Sequence, residues 1–301
     1  MSDVLVGVTL PQFTDDAESF VASVQRAESL GLDSLWVFDH LWPLSGGKNR
    51  PILEGWTALS WLTGATDRAG IGTLVTRSSL RHPAVLAKMA ASVACAAPGR
   101  LTVAIGSGDE MSRGENEAFG IPYYEGPDRI EQLESTVRVL RSFLDCEEVT
   151  VRDDFVSIER LPVSPRPPSK PRLWVAGRSD DALEIAGAYG DGWNGWGGTP
   201  ERFAQDALRV TEFAASSGDR AVELTWGGLA ILDTDDEQAR AKLGSRNPEQ
   251  YLVGGPETMA GLLGEFVEAG ARHLVLTFPD AGTTGSYELL ASSVKPLLNQ
   301  A

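Results

Sequence analysis

The sequence predicts an α/β fold, a (β/α)8 TIM barrel made from eight parallel strands. Three observations carry that prediction. Short apolar runs alternate with amphipathic helical stretches along nearly the whole chain. The runs lack polar alternation, as strands covered on both faces do. Several of them stop at polar or glycine-rich groups, namely Asp39-His40, Gly106-Ser107-Gly108 and Gly177-Arg178-Ser179. A doubly wound open sheet is the alternative for the same alternation.

In order, Val4–Pro11 is the first strand, and a helix from Asp15 to Leu30 places Phe20, Val21, Val24, Ala27 and Leu30 on one face before Gly31 stops it. The second strand lies in Ser34–Pro43 (SLWVFDHLWP), too short for a helix and rich in Val, Trp and Phe. A helix over Glu54–Arg68 and a third strand over Ile71–Thr76 follow. Pro83 opens the next helix at a position that suits it, and Leu101–Ile105 is the fourth strand. Asp109–Pro127 reads as a polar loop long enough to suggest function. Arg129–Leu144 is helical, with Ile130, Leu133, Val137 and Leu140 at helical spacing. Val149–Leu161 alternates like a hairpin and Pro162–Pro171 holds five prolines, so residues 147–171 form an excursion from the barrel. Strands five to eight are Leu173–Ala176, Gly192–Trp196, Leu224–Leu232 and His273–Phe278, with residues 240–255 an irregular insertion. No linker divides the chain, and one domain over 1–301 is expected.

Composition narrows the partners. With 26 basic and 42 acidic residues the net charge is -16, which disfavours nucleic acid and anionic membranes. No stretch is long and apolar enough to span a bilayer. The start MSDVLVGV has no basic segment leading an apolar region, and the two cysteines, Cys95 and Cys146, fit a reducing cytoplasm. Three histidines and no CxxC or HExxH motif make a metal site a poor candidate.

A carboxylate and an imidazole are costly to bury, so Asp39 and His40 at a strand end are expected to face the ligand cavity that α/β barrels place there. An imidazole suits proton transfer near neutral pH, which makes His40 a catalytic candidate; a strand-end histidine bonded to backbone is the plainer alternative. Gly106 and Gly108 let backbone approach a ligand closely. Gly177, Arg178 and Ser179 follow a strand and start a helix, whose free N–H groups favour an anion such as phosphate. Asp180 and Asp181 suit the helix start and are expected to face solvent. Phe13, Trp42 and Trp196 lie at or just past strand ends and are candidate walls of a small-molecule pocket.

The segments SLWVFDH, IGTLVTRSSLRHPAVLAKMAA, PGRLTVAIGSG, WVAGRSDDALEIAGAYGDGWN and YLVGGPETMAGLLGEFVEAGARHLVLTF resemble the luciferase-like monooxygenase superfamily in order and spacing over essentially the whole chain. The Asp-His pair and RHPAVLAK lean toward its branch that uses coenzyme F420, a 5-deazaflavin, with FMN the alternative cofactor. The resemblance implies an insertion-bearing TIM barrel, hydride transfer between the deazaflavin C5 and a small organic substrate, and a homodimer. It also implies that His40 lies beside the ring and that Asp39 holds the ring edge or orients His40. A non-proline cis peptide is implied at Leu74–Val75, with Thr76 facing the pyrimidine side and Asp109 as a proton donor or acceptor. A sugar phosphate is disfavoured as substrate, because GWGGTPERF has glycines where a lysine is expected. The cofactor is strongly anionic in a chain of net charge -16, so local cations must draw it in; Arg77, Arg81, Lys48 and Arg50 are the candidates. An FMN-dependent monooxygenase and a non-catalytic flavin-binding barrel are the other functional readings.

Overall fold

The computed structural model describes residues 3–43, 47–218, 220–280 and 285–300. Eight parallel strands close on themselves: β1 (Leu5–Thr9), β2 (Ser34–Val37), β3 (Gly70–Arg77), β4 (Leu101–Gly106), β7 (Arg172–Ala176), β8 (Gly192–Trp196), β9 (Glu223–Leu232) and β11 (His273–Thr277). Their order around the ring is that of the sequence, with β8 pairing β9 and β11 pairing β1. The excursion over 147–171 is an antiparallel hairpin of β5 (Glu148–Arg152) and β6 (Ser157–Pro162), as expected. The insertion read as irregular is more ordered than that. It holds the second half of the helix α8 (Asp236–Leu243) and a short strand β10 (Tyr251–Gly254) that extends the sheet alongside the end of β9.

The core has two layers, because each barrel strand is buried on both faces. Outward side chains such as Val6, Val8, Leu35, Val37, Ile71 and Val103 pack against the helices. Inward, a small cluster of Trp36, Leu74, Ala104, Trp174 and Val275 fills the barrel. Trp36 and Trp174 stack with ring centroids 4.9 Å apart. Gly72 makes room for them, since a Cβ there would sit 2.4 Å from the Trp36 ring. Beneath them Ser34, His273 and the Trp36 indole N–H form a closed polar group, with Ser34 Oγ 2.6 Å from His273 Nε2 and 2.7 Å from Trp36 Nε1. The interior is therefore packed below, and the C-terminal strand ends form the open mouth.

Helices α2 (Gly55–Ala65), α3 (Pro83–Ala96), α5 (Gly126–Asp145), α6 (Asp180–Tyr189), α7 (Pro200–Ser216) and α9 (Pro256–Glu268) surround the barrel with α1 (Ala17–Ser29). Glu54 caps α2 by accepting from the N–H groups of Trp56 and Thr57 at 3.1 and 2.7 Å. No described helix is long and apolar enough to cross a membrane.

Candidate active site

The turn that carries Asp39 and His40 is fixed from three sides. The wholly buried Gln12 pairs with both backbone groups of Phe38: its amide nitrogen donates to the Phe38 carbonyl at 2.8 Å and its oxygen accepts the Phe38 N–H at 2.5 Å. Asp39 is buried as well, and Arg81 grips it with two hydrogen bonds of 2.7 and 2.8 Å. A third bond, from the Arg77 N–H at 3.2 Å, ties Asp39 to the end of β3. Its carboxylate thus joins two strand ends and fixes the turn that carries His40. Arg81 also pairs with Glu54, so the same guanidinium reaches the cap of α2.

His40 follows, and its Nδ1 lies 3.0 Å from Glu115 Oε2. Glu115 belongs to the short helix α4 (Arg113–Ala118), within the segment read as a polar loop. Its side chain is fully buried, and it accepts from the Leu41 N–H and faces Arg77 at 3.0 Å. Burial alone pushes the Glu115 carboxyl up. The hydrogen bond from His40, the Leu41 N–H and the Arg77 charge outweigh it and hold the carboxyl below its ordinary range. An ionised carboxylate only accepts, so Nδ1 carries a proton and Nε2 is the nitrogen whose protonation can change. Nε2 has no hydrogen-bond partner among the described residues.

Asp109, the carboxylate expected to serve in proton transfer, is exposed and caps the turn before α4, accepting from the Ser112 N–H and hydroxyl at 3.2 and 3.0 Å. The carboxylate that reaches His40 is Glu115. The Thr76 hydroxyl accepts from the Trp56 indole at 3.1 Å and bonds Thr73 Oγ1 at 2.7 Å. The peptide Leu74–Val75 is cis and sits at the bulge of β3, between Thr73 and Thr76. Leu74 faces the barrel interior, and Val75 packs against it and under Gly106.

Arg77 and Arg81 were candidates to attract an anion, but both are committed. Arg77 faces Glu115 and donates to Asn116 Oδ1 at 2.9 Å, and Arg81 is neutralised by Asp39 and Glu54. Uncommitted positive potential lies elsewhere. At the ends of β7 and β8, Arg178 and Arg202 share one buried carboxylate, Asp206, at 3.1 and 2.9 Å, leaving a net positive charge there. Ser179 caps α6 through the Ala182 N–H at 3.3 Å. Gly177 has φ +147°, and a Cβ there would come within 2.6 Å of Ala182 Cβ. Gly177→Ala is therefore expected to push the loop off the start of α6 with a modest loss of stability, which thermal unfolding checks.

The mouth is walled by aromatic rings. Phe13 and Phe38 are 6.1 Å apart, and Phe38 meets Trp196 edge-on at 6.2 Å. Trp42 packs near Gly114 of α4, and its N–H lies 3.4 Å from Glu115. Gln12 and Glu115 are the two residues that sequence reasoning missed. A buried glutamine in a polar stretch carries no periodic signal. Glu115 sits in RGENEAFG, where acids read as solvated.

A closed parallel barrel with a histidine–carboxylate pair, a glycine-lined helix start and an aromatic wall at its C-terminal mouth defines a ligand-binding barrel of the enzyme type. The profile described as Luciferase-like monooxygenase matches residues 3–276, and the chain belongs to that family. It is 29% identical to an F420-dependent glucose-6-phosphate dehydrogenase of Beutenbergia cavernae, over 90% of this chain and 90% of that one. It is 30% identical to the pyrimidine monooxygenase RutA of Escherichia coli, covering 89% of this chain and 70% of the relative. Among solved structures, an F420-dependent secondary alcohol dehydrogenase in complex with an F420-acetone adduct superposes with a TM-score of 0.85 at 21% identity, over 99% of both chains.

Proposed function

We propose that the chain is a coenzyme F420-dependent oxidoreductase acting on a small organic substrate. The observation that carries this reading is His40 at the mouth, held through Nδ1 by Glu115 with Nε2 left for a substrate. The F420-dependent relatives support the choice of cofactor. The residues present fit the group. The cis bulge at Leu74–Val75, with Gly106 beside it, would back the ring. Gly177, Arg178 and Ser179, with Arg202 nearby, would take the phosphate. When bound, the deazaflavin supplies or accepts a hydride at C5.

The protein's own part is positional and acid–base. Glu115 fixes the tautomer and plane of His40, as a third group does in other histidine sites. His40 Nε2 can take the proton of a substrate hydroxyl when hydride leaves its carbon, and return it in the opposite direction. Asp39, Gln12 and Arg81 keep the turn from moving. Titration with F420 and with FMN, followed by cofactor fluorescence, tests the reading: tight binding of F420 supports it, and tight binding of FMN alone contradicts it.

A homodimer is part of the same proposal. Helices α2 and α3 bury apolar residues such as Trp56, Leu59, Leu86 and Val93 inward, yet leave Val85 53% exposed over a groove with Met89 and Leu161. A second copy would cover that face. Light scattering is expected to give twice the chain mass, and Val85→Glu to give the monomer.

A further inference from the structure

Two cations at the mouth carry no counter-charge. Lys48 Nζ lies 4.2 Å over the Trp42 ring and the Arg50 guanidinium 5.0 Å over the Phe13 ring. Among the described residues neither makes an ion pair. By contrast Arg77, Arg81, Arg113 and Arg178 each face a carboxylate. An aromatic face holds a cation by about 0.5–1 kcal/mol at an exposed site and leaves its N–H donors free.

The two rings under those cations are parts of the mouth. Phe13 continues through Phe38 to Trp196. Trp196 in turn lies over Gly227, whose Cβ would be 3.0 Å from its ring and 3.4 Å from Leu74. An apolar wall therefore runs from the end of β1 across to the cis bulge of β3, with Trp196 39% exposed on it. On the other side Trp42 adjoins Glu115, the partner of His40. The segment carrying Lys48 and Arg50 follows β2, three strands around the ring from the β7 end that bears Gly177. These cations are thus remote from the helix start suited to a phosphate and close to the side where His40 stands.

We propose that the substrate has an apolar body and an anionic end: the body rests on Phe13, Phe38 and Trp196, and a carboxylate or similar group meets Lys48 and Arg50. This rests on the oxidoreductase reading, and it names the substrate class for the same site. A sugar phosphate lacks the apolar body, and a neutral alcohol of the same skeleton leaves the two cations unsatisfied.

The test uses two ketones that differ only in charge, 4-acetylbenzoate and acetophenone. Each is titrated by calorimetry into the protein alone and into the protein with F420. We expect 4-acetylbenzoate to bind at least about tenfold more tightly at low salt, with the difference shrinking as salt is added. Lys48→Ala/Arg50→Ala should bring the two probes level, and Trp196→Ala should weaken both alike. Equal binding, tighter binding of acetophenone or no binding of either overturns the proposal. So does a double variant that loses F420 affinity while keeping the difference between probes, because it assigns the cations to the cofactor. If F420 itself does not bind, the oxidoreductase reading fails separately, and the titration of the protein alone still decides the substrate class.

Discussion

Glu115→Ala is expected to destabilise the protein by about 3–5 kcal/mol, because it leaves the buried Arg77 guanidinium without its carboxylate. That is a large share of the roughly 5–15 kcal/mol by which such domains are stable. The loss should appear as a lower denaturant midpoint with little change in slope. The same carboxylate sets a pH dependence. Its pKa is lower in the folded protein than in the unfolded chain, so the folded state binds the proton less readily. The stabilisation is complete above the ordinary glutamate range and is lost as pH falls through the depressed folded value. Glu115→Gln should therefore flatten the acid side of the stability curve. A wild-type curve with no acid-side contribution from this residue would count against the network.

His40→Ala is expected to lower kcat by about two to four orders of magnitude, the span of a lost general acid–base group. Affinity for F420 should change by no more than about twofold, since the segments proposed to hold it, Gly177–Ser179 and the bulge at Leu74–Val75, are built without His40. Glu115→Gln supplies the contrast: His40 remains, but its tautomer and orientation are no longer fixed, so the rate should fall while KM changes little. Stopped-flow absorbance of the cofactor, compared with fluorescence titration, separates rate from binding. Equal losses in both for His40→Ala would make the residue a binding group.

Much of the barrel can be read in the sequence, for a physical reason. Strands buried on both faces leave uninterrupted apolar runs such as SLWV and HLVLT, and their cost of exposure is written in residue type. The position of His40 is legible on the same grounds, because an imidazole after such a run needs a polar surrounding. Its partner is not. Glu115 is brought to His40 by a six-residue helix with no apolar residue larger than alanine, and 75 residues separate the two. A proton-transfer role for Asp109 is implied by the resemblance alone, whereas the cap it makes needs only its own next turn. Asp39 and Thr76 sit where expected in the chain, but which way each side chain turns depends on Arg81 and Trp56, supplied by other elements. The charges of Arg77 and Arg81 are countable in the sequence, while their neutralisation is a fact of packing. What remains uncompensated, Lys48 and Arg50 at one rim and the Arg178–Arg202 pair at the other, is visible only once the ion pairs are known.

The most direct test of the account is transfer of label. F420-loaded protein is incubated without oxygen with a secondary alcohol deuterated at its carbinol carbon, such as the carboxylated alcohol matching 4-acetylbenzoate, and the cofactor is recovered for mass spectrometry. The account predicts one deuterium gained by the cofactor at C5, at a rate that His40→Ala slows sharply. Recovery of unlabelled cofactor, or turnover that begins only when oxygen and FMN are supplied, would contradict it.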